Sequence, residues 1–178
     1  MFSVTKIKNN LKNQEKGFSL VEVLIYSGML ILITFFIVQS IIALVKSHSK
    51  VVLDRSVEYS SEAAINKIIG EIKNASSVNT GSSSFGTNPG TLSLNGTENS
   101  VSYTIAFSVQ NGAIVFSKDG GVSVPLTSSD VSVTSMIFKI ASTTNSIAIK
   151  VDATIYGTKR DYSKTLNLSD FAILRGSY

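Results

Sequence analysis

Lys16-Gly17-Phe18-Ser19-Leu20-Val21-Glu22 stands directly before residues 23–45, a stretch without a single charged side chain. A short basic leader precedes it, with Lys6, Lys8, Lys12 and Lys16 against Glu15. The order of these parts matters. A secretory signal peptide is cut after its apolar segment, at a small-residue site. Here the small residue, Gly17, comes before the apolar segment, so a cut there leaves the apolar helix on the mature chain. Residues 23–45 rise roughly 34 Å at about 1.5 Å per residue, enough for a hydrocarbon core of about 30 Å. The positive leader stays cytoplasmic, which places the C-terminal bulk outside a single-pass membrane helix embedded in lipid. Ser27, Gly28, Thr34, Gln39 and Ser40 interrupt the run; small or uncharged polar residues of this kind occur where membrane helices pack together. Glu22 is the feature that needs a reason, because an ionisable group in a bilayer is costly. The plain alternative is an ordinary signal-anchor with Glu22 bent towards water.

The segment Gly17-Phe18-Ser19-Leu20-Val21-Glu22 resembles the cleavage and methylation motif of type IV pilins and type II secretion pseudopilins. The resemblance implies that a prepilin peptidase cuts between Gly17 and Phe18 and methylates the new amine of Phe18. It also implies that Glu22 serves subunit assembly by pairing with the N-terminal amine of a neighbour. A carboxylate in the first turn of a helix is favoured by the macrodipole, and a buried pair of this kind sets register more than stability. Three further features narrow the likeness to a minor pseudopilin of the J type. Where major pilins usually carry a proline in the membrane helix, this chain has Gln39. Ile65-Asn-Lys-Ile-Ile-Gly-Glu-Ile-Lys-Asn-Ala75 is similar to the J-type stretch that leads into the headgroup. Val131-Ser-Val-Thr-Ser-Met-Ile-Phe138 and Asp170-Phe-Ala-Ile-Leu-Arg175 look like the later strands and the Leu-Arg ending of minor subunits.

The chain has 178 residues and a formal charge of +4. The leader holds four of the 16 Lys and Arg and one of the 12 Asp and Glu, so the mature part is close to neutral. The basic balance therefore gives no argument for nucleic acid as a partner. Without cysteine there is no disulfide and no thiolate metal site.

Beyond the membrane run the helix is expected to continue. Leu53, Val57, Ala64, Ile68, Ile72 and Ala75 recur on one helical face, widened by Ile65 and Ile69. Asp54 with Glu58, and Glu58 with Glu62, are repulsive i,i+4 pairs, so the polar face reads as solvated or partner-facing. A helix over residues 18–75 would be about 87 Å long. Residues 80–90 are rich in Gly and Ser and read as a linker. Period-two alternation follows, beginning with Val101, Tyr103, Ile105, Phe107 and Val109, with a hairpin turn at Asn111-Gly112 and a return over 113–117. Lys118-Asp119-Gly120-Gly121 reads as a turn and not as a metal site. Strands are then expected over 122–126, 131–140 with Ile137 and Phe138 as core, 147–156, and 162–174. Pro125 argues for a strand end or an edge.

The expected class is α+β, a long N-terminal helix packed on one antiparallel β-sheet, and the resemblance implies the pilin fold. Four segments follow: leader 1–17, membrane or filament-core helix 18–45, soluble amphipathic continuation 46–79, and β headgroup 80–178. His48, the only histidine, reads as a solvated interfacial group. No zinc spacing, nucleophile elbow, Walker loop or dinucleotide fingerprint appears, so no catalytic residue, cofactor or metal is expected. The leading expectation is a minor filament subunit, not an enzyme. Its partners would be prepilin peptidase, other pilin or pseudopilin subunits and the membrane assembly platform. A filament-tip adhesin or ligand-binding pilin is the alternative, followed by a plain membrane-anchored extracellular β-domain.

Overall fold

The computed structural model describes residues 17–144 and 146–175. The basic leader expected from the sequence lies outside these residues, apart from Gly17. The class is α+β, with one long helix, α1 (Leu20–Asn74), followed by antiparallel strands. The chain divides into two compact units, Met1–Leu44 and Val45–Tyr178.

In the first unit, every described residue is exposed except Glu22, which is half-buried. The helix here is apolar all round, so it has no inward face to choose. Its length and composition suffice to cross a membrane.

In the second unit, α1 buries Leu53, Val57, Ala64, Ile65, Ile68, Ile69 and Ile72, the stripe expected from the sequence. They join one core with Leu92, Leu94, Phe107, Ile114, Met136, Phe138, Ile149, Val151 and Ile155 from the strands. Each buried side chain of this size contributes about 1.5–3 kcal/mol relative to exposure. Ser61, buried within the stripe, satisfies its hydroxyl by bonding the Val57 carbonyl one turn back.

The strands form two sheets, where the sequence suggested one. The first is five-stranded, in the order β1 (Ser77–Val78), β2 (Leu92–Glu98), β3 (Val101–Gln110), β4 (Ala113–Lys118) and β5 (Val124–Pro125). The second is a three-stranded meander of β6 (Val131–Ser142), β7 (Ile147–Lys159) and β8 (Tyr162–Ile173). The division has a local cause. On its side away from β7, β6 is met by loops instead of a strand. Gly86 N donates to Phe138 O at 2.8 Å, Gly90 N to Met136 O at 2.7 Å and Val133 N to Gly112 O at 2.7 Å. Met136 N donates to Asn88 Oδ1 at 3.0 Å. Those bonds occupy the backbone groups that a further strand would need.

The turns are as the sequence indicates. Asn111 and Gly112 take positive φ values of 51° and 76° between the paired residues Gln110 and Ala113, a two-residue hairpin. Asp119 and Gly120 turn the chain after β4. Asp119 N donates to Thr104 O, and its carboxylate accepts from Thr104 N, both at 2.7 Å. Pro125 lies on the edge strand of the first sheet, where its missing N–H is tolerated.

Four expectations require correction. The helix ends at Asn74, so the last five residues of the continuation drawn over 46–79 are not helical: Ser76 N already donates to Asn95 O and β1 begins at Ser77. Residues 80–90 are not a free linker. Ser83 Oγ accepts from Ser93 N at 2.9 Å, Ser84 pairs with Thr91, and Phe85 packs on the core. Strand β2 adds to the strands expected from the sequence, which begin at Val101. Within it Gly96 lies opposite Tyr103, whose ring comes within 2.3 Å of where a Cβ would stand. Finally, Ile137 is half-buried on the outer face and Met136 takes the core position. A bulge between Val133 and Ser135 shifts the register, so the inward set runs Val131, Val133, Met136, Phe138.

Candidate functional site

The residues singled out by the sequence gather at the start of α1, with Gly17 and Phe18 just before it and Glu22 in its first turn. The helix begins at Leu20, two residues later than expected, and its first return bond runs from Val23 N to Ser19 O at 3.1 Å. Ser19 thus takes the position just before the helix, a role suited to serine. The Gly17–Phe18 peptide bond therefore lies outside the helical hydrogen-bond ladder, and a peptidase need not unwind a turn to reach it. Gly17 has open space around its α-carbon, and the Phe18 side chain is 74% exposed.

Glu22 sits in the first turn, where the helix dipole favours negative charge. Its Oε1 accepts a hydrogen bond from Tyr26 Oη at 3.0 Å. Sequence reading had not drawn Tyr26 into the site, although the i,i+4 spacing was a usable signal. Phe18 and Tyr26, with Val23, Ser27 and Leu30, line one shallow apolar groove. Further along, Ser27 Oγ donates to Leu24 O at 2.9 Å and Thr34 Oγ1 to Leu30 O at 2.8 Å. Such bonds to the helix's own carbonyls satisfy polar groups where water is absent.

Two charge clusters mark the β unit. Lys164 of β8 reaches Glu58 Oε1 at 2.6 Å and Asp54 Oδ1 at 3.6 Å. The two carboxylates that repel each other along α1 thus share a cation from the sheet. The Glu58 hydrogen bond, followed by the charge of Asp54, raises the Lys164 pKa above its ordinary value. On the outer face of the second sheet, Asp152 accepts from Ser169 Oγ at 2.7 Å and from Lys139 Nζ at 2.9 Å, and Lys150 Nζ lies 2.9 Å away. The Ser169 bond, then those of Lys139 and Lys150, holds the Asp152 carboxyl well below the usual carboxylate range. The sequence shows Asp54 and Glu58 as neighbours on one helix, but neither Lys164 beside them nor the gathering of Lys139 and Ser169 on Asp152, because these come from separate elements. Among the described residues no group of three His, Cys, Asp or Glu is placed to hold a metal ion. His48 lies on the exposed part of α1.

Models of known protein families, curated proteins and solved structures yield no match to this chain.

Proposed function

We propose that this chain is a pilin-like filament subunit of the minor, J-type pseudopilin kind, made as a precursor and cut between Gly17 and Phe18. The observation that carries the reading is the juxtaposition of that bond with an apolar helix and a first-turn carboxylate. The scissile bond precedes the helical ladder, Glu22 follows within one turn, and residues 17–44 are exposed apart from Glu22. So large an apolar surface requires lipid or other apolar helices around it. The reading supplies both in succession: a bilayer before assembly, then a filament core of like helices. The leader faces the cytoplasm, the β unit lies outside, and prepilin peptidase and a membrane assembly platform act on the chain in turn. Phe18 carries the methylated amine, and Glu22 takes the amine of a neighbouring subunit. Its function is then structural assembly and not catalysis.

The test is intact mass and N-terminal sequencing of the chain expressed with and without a prepilin peptidase. The expected product begins at Phe18 and carries one added methyl group. An uncut chain, or a cut beyond residue 45, overturns the reading. A second variant probes the carboxylate: Glu22→Ala should insert and be cleaved normally yet fail to enter filaments.

A further inference from the structure

We infer that Tyr26 is a positioning residue for assembly, holding Glu22 ready for the amine of a second copy of this chain; the inference rests on the filament-subunit reading. Over residues 23–33 the side chains other than Tyr26 and Ser27 are apolar, and Ser27 bonds the Leu24 carbonyl, so the carboxylate has few sources of a hydrogen bond nearby. Tyr26 Oη provides one at 3.0 Å, to Oε1. Among the described residues Oε2 has no partner. One oxygen is thus fixed and the other remains available to a cation. The fixed oxygen matters for two physical reasons. A carboxylate left without donors in a low-dielectric setting folds towards the aqueous interface, because desolvation without compensation is costly. The Tyr26 bond lowers that penalty while the chain is still a monomer in the bilayer. It also restricts the Glu22 rotamer, so less side-chain freedom is lost when the amine arrives. The cation that fits is a small ammonium group carried into the apolar phase by a helix of the same kind. The processed amine of Phe18 on a second copy has that chemistry.

The ring of Tyr26 lines the groove shared with Phe18, so truncation would disturb packing as well as the hydroxyl. Tyr26→Phe separates the two. Full-length chains bearing two different tags are co-expressed with a prepilin peptidase, and paired copies are captured from solubilised membranes. The Glu22 carboxylate is followed in parallel by isotope-edited infrared spectroscopy of the full chain in phospholipid vesicles, with Glu22→Gln as the blank. Tyr26→Phe should be cleaved and methylated as the parent, move the carboxylate band, and lower capture of pairs about two- to tenfold, the loss expected when one more side chain must be ordered on binding. Capture or a band unchanged in Tyr26→Phe, while Glu22→Ala abolishes capture, overturns the role of Tyr26 and leaves the filament reading standing. Capture unaffected by Glu22→Ala, or absent in the parent, overturns the second-copy partner and the proposal with it.

Discussion

The two halves of α1 obey different rules within one continuous helix. Up to Leu44 its side chains other than half-buried Glu22 are exposed and almost uniformly apolar; from Leu53 onward a stripe is buried and the opposite face is polar. The first half has no covering protein and no preferred face. The second is held by packing: Val57, Ala64, Ile68 and Ile72 are fully buried against two sheets. Helical periodicity alone would describe both as helix. The difference lies in where the apolar surface goes: in one half it stays exposed on the single chain, in the other it enters the chain's own core. Loss of a methyl group should therefore be felt by folding in the second half alone; on the filament reading proposed above, the first half would feel it in assembly.

The strongest way to break that comparison is to truncate matched isoleucines. Ile68→Ala opens a cavity in the core and should lower the unfolding free energy of the β unit by about 2–5 kcal/mol. Ile33→Ala, in the exposed half, should leave the same transition unmoved. Denaturant unfolding of the full chain in detergent, followed by the sheet's circular dichroism, reads both, and equal shifts would refute the division.

A smaller effect is expected where the helix lies against Gly157 of β7. At Gly157 a Cβ would stand 2.4 Å from Val57 Cγ2 and 3.1 Å from Leu53 Cδ1. Gly157→Ala should destabilise by about 1–3 kcal/mol through overpacking, and Val57→Ala in the same chain should recover part of the loss. An additive double variant would show that the contact does not govern the site.

Charges provide the smallest effects. Asp152→Asn should lower stability at neutral pH by about 1 kcal/mol or less, as for other exposed ion pairs. The folded-state pKa of Asp152 is depressed, so its contribution is present above the ordinary value of 3.8 and is lost as pH falls below it towards the folded value. The parent and the variant should converge in acid urea titrations. Lys164→Met tests the opposite sign. Its raised pKa means that the contribution is present below the ordinary value of 10.5 and lost as pH climbs through the folded value. The variant should fall short of the parent at neutral pH and approach it only in strong base. A gap that persists there would assign the effect to packing of the lysine stem.

Much of this was legible in the residues because it depends on neighbours in the chain. The seam Leu53, Val57, Ala64, Ile68, Ile72 is set by the 3.6-residue period, and the Asn111-Gly112 hairpin by the positive φ that those residues tolerate. The Gly17-Phe18 junction and Glu22 are contiguous, so their place at the start of a helix followed from order alone. What the residues did not disclose is non-local. Strand β2 is fixed by its pairing with β3, where Gly96 lies under the Tyr103 ring directly across the sheet. Ile137 and Met136 exchange faces because Thr134 sits in a bulge that only the pairing with β7 creates, its hydroxyl donating to Thr154 O at 3.1 Å. The strands form two sheets where the 86–90 loop and Gly112 occupy the backbone groups of β6 on its side away from β7. Asp54 and Glu58 find Lys164 106 residues further along than Glu58, a meeting for which no local pattern exists. Periodicity and contiguous motifs are properties of the chain. Register, strand count and shared cations arise only when distant segments compete for the same backbone groups and the same core.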